Sequence, residues 1–558
     1  MKKTSERSYT YVCRKLDLAF LLLLVAFTLV SPIWRAEAQK STPLFYNIRD
    51  YGAKGDGKTL DTAAINKAID AAAAGGGGTV FLPAGTYLSF SIRLKSNITI
   101  YLDNGATLLA ADPKEHKGAY DMPEPNAFDM YQDFGHSHWQ NSLIWGIGVE
   151  NAAITGQGRI DGKGLSRRSP GPRKPRSAGE TPASMANNPS PLGEMSDVRE
   201  MDGLGTKAIA LKLSRNVTLR DFTLFRGGHF GLLATGVDNL TIDNLRVDTN
   251  RDGFDIDACR NVRISNSYVN TPNDDAIVLK SSYALGFNRA TENVTITNSQ
   301  VSGFDPGSFL DGTFKTTQEF APDKDRVTGR IKFGTESNGG FKNITISNIN
   351  FIHCRGLALE TVDGGWIEDV TVTNITMRDI TTAPIFIRLG ARQRAPEGTP
   401  IGGIRRVSIS NVVVSDAEPH YASIIAGLAG HDIEDVRLSN IRIHYKGGGT
   451  KEDAARDVPE NEKNYPEPSM FGVLPAYGFY IRHARGITFD NVEVSFEKDD
   501  ARPAFMLDDV KDAGFFRTNA ELLGGAKMFS LKNVKNFTYR DIPGMSDGRI
   551  ESAGNREF

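Results

Sequence analysis

A short phrase recurs along this chain and limits what it can fold into. NITI at 97, NVTL at 216, NLTI at 239, NVRI at 261, NVTI at 293 and NITI at 343 are followed by DVTV at 369, RVSI at 406 and DVRL at 435. The tightest steps are 23 and 22 residues, from 216 to 239 and from 239 to 261. Each unit holds two or three strands of about four residues, set apart by Gly, Asn or Asp, the residues that turns use. Apolar and polar residues alternate within them, as in Phe254 and Ile256 against Asp255 and Asp257. Strands at a fixed short period stack as coils, each burying its apolar face on the next. A propeller blade needs about 40 residues, so the shorter steps argue against one. The expectation is an all-β chain: a single right-handed parallel β-helix, a solenoid of roughly ten coils at ~4.8 Å each. The Asn-x-Ser/Thr phrases read as turns that lead into strands, not as glycan sites.

One period carries three carboxylates. Asp252 lies in Asn-Arg-Asp-Gly-Phe-Asp, and Asp274 and Asp275 follow 22 and 23 residues later in Asn-Asp-Asp. Stacking sets Asp252 beneath the pair, about one strand spacing (~4.8 Å) away. Acids so crowded cannot all ionise freely, so at least one should hold its proton towards neutral pH, as a general acid must. Any one of them alone reads as a turn residue; three, one coil apart, read as a site.

These phrases resemble glycoside hydrolase family 28, the polygalacturonase family of parallel β-helices. The resemblance implies hydrolysis of α-linked galacturonate with inversion. It makes Asp274 the acid, Asp252 and Asp275 the carboxylates that hold and deprotonate water, and Asn250 and Asn273 the residues that orient them. Asp255 reads as part of the turn and strand. One family signature, Gly-His-Gly, is missing and another, Arg-Ile-Lys, is displaced. The Gly-His-Gly slot falls on Thr328-Gly329-Arg330, and the Arg-Ile-Lys slot falls near Ala358-Leu359-Glu360, while Arg330-Ile331-Lys332 stands one coil early. Alternation turns Ile331, Phe333, Leu357, Leu359, Ile385, Ile387 and Leu389 inwards. It turns Arg330, Lys332, Glu360 and Arg388 outwards, with Lys332, Glu360 and Arg388 in one column beside the acids, joined by Lys280. Cations there suit an anionic sugar. Glu360 in a lysine's place leaves open an uncharged or differently decorated pectic sugar. His229, one coil before Asp252, is a further candidate for the groove.

The rest of the chain fits a capped rod with inserts. Residues 46–88 resemble the start of many pectin-active β-helix enzymes. Asp61-Thr62 starts a helix with Ala63, Ile65, Ala68 and Ile69 on one stripe, and Gly75 to Gly78 stops it; it would cover the open end of the solenoid. Gly55-Asp56-Gly57 reads as a turn. Residues 112–142, 162–205, 303–328 and 446–480 read as loops that wall the groove, which suggests cleavage from a chain end. His136-x-His138 lacks a third zinc ligand, and Trp139 and Trp145 suit packing better than sugar stacking. Cys259 and Cys354 read as small buried residues rather than a disulfide.

At the N-terminus a basic lead precedes an apolar run from Leu18 to Val30 and then Ala36-Glu37-Ala38. Residues 1–38 read as a secretory signal peptide cleaved after Ala38, and 39–558 as the enzyme domain, secreted or periplasmic. Charge is balanced, with 65 Lys+Arg against 67 Asp+Glu, so neither nucleic acid nor a polybasic membrane contact is indicated. The expected partner is a pectic substrate, with no cofactor, no metal, no membrane after cleavage, and a monomeric state. A calcium-dependent lyase or an epimerase on the same scaffold is the alternative, as is a glycosidase for another pectic sugar. A non-catalytic carbohydrate-binding rod would leave the clustered acids unexplained.

Overall fold

The computed structural model describes residues 45–133, 135–166, 201–321 and 325–558. The apolar run of the leader and most of the 162–205 insert lie outside the described residues. So does any account of residues 1–38 as a signal peptide. The compact unit Phe45–Phe558 holds 34 strands in one sheet and is a parallel β-helix. One column of paired strands runs from Ile92–Arg93 through Asp252–Asp257 to Phe529–Arg540 and takes in thirteen of them, more coils than the period suggests.

The repeated asparagine explains the coil. Asn97, Asn151, Asn216, Asn239, Asn261, Asn293 and Asn343 all have φ between 52° and 60°, in the left-handed region where asparagine is tolerated better than branched residues. Each turns a corner, and the β-branched residues after it enter the next strand. Their amides also bond along the rod: Asn216 Nδ2 donates to Asn151 Oδ1 at 2.9 Å, and Asn239 to Asn216 at 2.9 Å. A second ladder runs through Asn348, Asn374, Asn411, Asn440 and Asn491. The inward residues form one continuous apolar core, to which Ile331, Phe333, Leu357, Leu359, Ile385, Ile387 and Leu389 all belong, as alternation requires. Cys259 and Cys354 are buried and free.

The helix Thr62–Ala74 packs on the first coils through Ala64, Ile65, Ala68, Ile69 and Ala72. Ala63 is exposed, so the apolar stripe begins one residue later than expected. Asp61 does not cap this helix through its side chain; its carboxylate accepts the Lys54 and Gly55 N–H groups, just before the strand Asp56–Leu60, which takes in Asp56 and Gly57 where a turn was expected. At the other end the strand Gly548–Glu557 turns back and pairs antiparallel with Phe529–Arg540. Among the described residues no helix is long and apolar enough to cross a membrane.

Candidate active site

The strand Asp252–Asp257 pairs with Ile277–Lys280, setting Phe254 beside Ile277 and Asp257 beside Lys280. That register stacks Asp252 under Asp275, and the Asp275 N–H donates to Asp252 Oδ1 and to Asp274 Oδ1, each at 3.2 Å. One carboxylate oxygen from each of the three acids lies within 4.8 Å of the others. The side chain of Asp274 is 24% exposed against 6% for Asp275, so Asp274 is the acid a substrate can reach. Its backbone carbonyl accepts from the Gly329 N–H at 2.9 Å and from Thr271 Oγ1 at 2.8 Å. Arg251 Nη2 holds Asp274 Oδ2 at 2.5 Å, which leaves Oδ1 turned towards Asp252.

The two buried acids have opposite surroundings. Burial raises the proton affinity of Asp252 well above the ordinary carboxylate range, and the charges of Asp255 and Asp274 push it further. Burial works against the charge of Asp275 too, but Lys332 and Arg330 overcome it and hold its carboxyl down at about 2. Arg330 Nε donates to Asp275 Oδ1 at 2.9 Å, and Lys332 Nζ stands 3.5 Å from Oδ2. Of the two buried acids, Asp252 is therefore the one whose surroundings favour the proton. Asp255 is no mere turn residue: it is fully buried, 3.2 Å from Lys280 Nζ and 3.7 Å from His136 Nε2. Its charge helps keep the proton on Asp252.

Other expected positions shift. Asn273 Nδ2 donates to Asn250 Oδ1 at 2.8 Å, and Gln318 caps Asn273 Oδ1, so these amides steady the turn and each other rather than gripping the carboxylates. Lys332 pairs with Ala358, whereas Glu360 pairs with Arg388, so the three charges do not form one column. The strand Ile331–Phe333 is met two residues earlier on its neighbour than a common column would need. Arg388 is held away from the acids by the carbonyls of Gly427 at 3.0 Å and Glu460 at 2.9 Å, over the Phe471 ring. Outward does not mean solvated: Arg330, Lys332, Glu360 and Arg388 are all buried beneath the 446–480 insert. Lys280 is buried between Asp255 and Glu336, at 3.2 and 3.3 Å. His229 is buried edge-on against Phe230, whose partner across the coil is Asp252, so it backs the site rather than lining an open groove.

Three inserts close around the acids. Residues 112–142 bring His136 to Lys280 and Asp255, and Asp133 to Arg394. Residues 303–328 bring Gln318 to Asn273. Residues 446–480 bring Glu467 onto Arg330 at 2.5 and 3.0 Å and onto Arg355 at 2.9 Å, and Tyr465 onto Lys332 at 2.9 Å. The 162–205 insert lies largely outside the described residues. Sequence reading missed Arg251, although it stands inside the Asn-Arg-Asp motif, and also Glu336, Arg355, Tyr465 and Glu467; for the last two, neither period nor motif ties a loop residue to a distant coil. His136 and His138 part company: His138 Nδ1 meets the Glu124 carbonyl at 2.7 Å and its Nε2 lies 3.3 Å from Asp129, so they do not share a zinc. Trp139 is fully buried among Ala210, Phe230 and Leu233, and Trp145 bonds Asp121.

A parallel β-helix with three aspartates converging on one partly open pocket is the architecture of a carbohydrate-active enzyme, and the comparisons specify it. Residues 106–308 match the family described as Glycosyl hydrolases family 28, and residues 45–130 match Rhamnogalacturonase A/epimerase, pectate lyase-like. The polygalacturonase-like resemblance to family 28 stands, and the chain is a glycoside hydrolase. A probable polygalacturonase of Vitis vinifera is 23% identical over 451 residues, 77% of this chain and 80% of that protein. An exo-poly-alpha-D-galacturonosidase of Dickeya chrysanthemi is 29% identical over 262 residues, 42% of either chain. The fold is also that of the family 28 exopolygalacturonase of Yersinia enterocolitica, with TM-score 0.58 at 21% identity over 85% of this chain and 78% of that one.

Proposed function

We propose that this protein is an exported enzyme that hydrolyses α-linked galacturonate-containing pectic polysaccharide or oligosaccharide from a chain end, with inversion. The observation that carries the reading is the trio itself: an exposed acid, Asp274, shares one backbone amide with the proton-holding Asp252 while Asp275 is kept ionised one coil above. The glycosidic oxygen enters beside Asp274 and takes a proton from it as the C–O bond breaks. Asp252 supplies that proton in turn. Water held against Asp275 attacks the anomeric carbon from the opposite face and gives its proton to Asp275. Asp275, gripped by Arg330 and Lys332, is a poor nucleophile, which favours attack by water over a covalent intermediate. The oxygens are closer than the ~6.5–9.5 Å usual for inverting pairs, so the water must enter beside the trio and not between its members. Proton NMR of the first-formed reducing end decides this; retention of the anomeric configuration would refute single displacement.

Pectic substrate and exo action are supported by the names of the Vitis and Dickeya relatives and by the three inserts that turn the groove into a pocket. Reducing-sugar release from a pectin panel, with size analysis of early products, tests both. Monomer release is expected, and a random ladder of lengths would refute chain-end cleavage. The three carboxylates could instead hold a calcium ion for elimination. A chelator-sensitive unsaturated product absorbing in the ultraviolet would establish that reading. Export rests on the basic lead, the apolar run Leu18 to Val30 and Ala36-Glu37-Ala38. N-terminal sequencing of mature protein should begin after Ala38.

A further inference from the structure

The cations around Asp275 are already engaged, and the engaging groups come from a loop. Arg330, Lys332 and Arg355 face Asp275, Glu360 and Glu467 in one buried cluster, in which burial pushes the Glu360 carboxyl up to about 8. Glu467 takes two hydrogen bonds from Arg330 and one from Arg355, and its side chain is 2% exposed. Tyr465, two residues earlier, bonds Lys332 Nζ through its hydroxyl at 2.9 Å while the ring lies 4.8 Å from the same ammonium. A sugar carboxylate arriving here would have to displace Glu467 or Tyr465 to meet a cation. On the opposite wall, among the described residues, Arg251 is committed to Asp274, and Lys280 to Asp255 and Glu336. An anionic sugar ring would compete with Asp275 and Glu467 for the same guanidinium, and like charges in a shielded pocket repel strongly.

We infer that the sugar bound at the Asp275 side of the cleavage site carries no ionised carboxylate, and that Glu467 is the residue that sets this preference. The ligand is an uncharged pyranose, either a methyl-esterified uronate or a neutral sugar linked to galacturonate. This rests on the pectic reading above and narrows it. Glu467 occupies the two guanidinium groups as a built-in carboxylate, and Tyr465 shields the ammonium beside them. Specificity then comes from an unfavourable charge as much as from a favourable contact.

The test compares kcat/KM on three oligosaccharides: fully unesterified oligogalacturonide, its methyl ester, and an oligomer in which galacturonate is linked to a neutral sugar. One of the two uncharged arms should exceed the unesterified one at least about tenfold, equivalent to ~1.4 kcal/mol, and which arm does so names the sugar. Glu467→Gln should raise turnover of the unesterified oligomer relative to the preferred one by about tenfold. Tyr465→Phe, which keeps the ring and uncovers Lys332, should move the ratio the same way and covers the case where Glu467→Gln does not fold. An unesterified oligomer turned over as fast as both uncharged arms would overturn the inference, as would a ratio unmoved in folded variants. Hydrolysis of none of the three would overturn the pectic reading itself and this inference with it.

Discussion

The two walls of the pocket lie one coil apart and treat the same side chain in opposite ways. On the Asp252 wall the neighbours are acids, Asp255 and Asp274, and the carboxyl keeps its proton. On the Asp275 wall they are Lys332 and Arg330, and the carboxyl stays ionised down to about 2. The coils place both residues alike, by the same strand register. What differs is the charge that each wall carries, and that charge is fixed in place by inserts: His136 from one side, Glu467 and Tyr465 from the other. A regular scaffold thus fixes position, and irregular loops fix protonation. The pairing of a proton-rich acid with a proton-poor one is what general acid–base hydrolysis requires.

Substitutions should separate the walls. Asp274→Asn removes the only acid of the trio open to substrate, so turnover should fall by ~10²–10⁴-fold with the melting curve unchanged. Turnover near the wild-type rate would remove Asp274 from the chemistry. Arg330→Met breaks the second wall at its centre. It leaves Asp275 and Glu467 buried without their shared partner and should cost about 3–5 kcal/mol in a denaturant titration.

Asp252→Asn should act the other way on stability. A carboxyl whose folded pKa is raised above its unfolded value near 4 loses folding free energy as pH rises through that interval. The asparagine variant should therefore unfold at higher denaturant than the wild type at neutral pH, with the gap closing below about pH 4, and should still lose activity. Asp275 contributes in the opposite sense: its stabilisation is present above the unfolded value and is lost as pH falls towards 2. The smallest effect belongs to the scaffold. Asn239→Ala removes one ladder bond and forces alanine to φ near 55°, and should cost about 1–2 kcal/mol without changing activity.

Much of this division was legible in the chain. The Asn-led phrases repeat because each coil needs a left-handed corner, and the alternation of Ile331, Phe333, Leu357 and Leu359 follows from two-residue periodicity. The three aspartates were found because they obey that period. Lys332 falls outside the column of Glu360 and Arg388 because alternation gives a residue's face but not its column, which depends on where each strand begins. Glu360 and Lys332 read as outward residues of the groove, because parity cannot foresee a loop laid over them. Glu467 lies 137 residues from Arg330, and no local pattern joins a Tyr-Pro-Glu-Pro turn to a distant guanidinium. The stripe of the cap began at Ala64 and not Ala63 because one helical step of 100° separates the two choices.

The most direct test of the two walls is difference infrared spectroscopy of wild type against Asp252→Asn and Asp275→Asn, across a pH titration. A buried carboxylic acid C=O component that persists above the ordinary titration range near 4 should be lost in Asp252→Asn and kept in Asp275→Asn, beside a second component from Glu360, whose carboxyl burial pushes up to about 8. A wild-type spectrum with no such band, or one lost only in Asp275→Asn, would contradict the account.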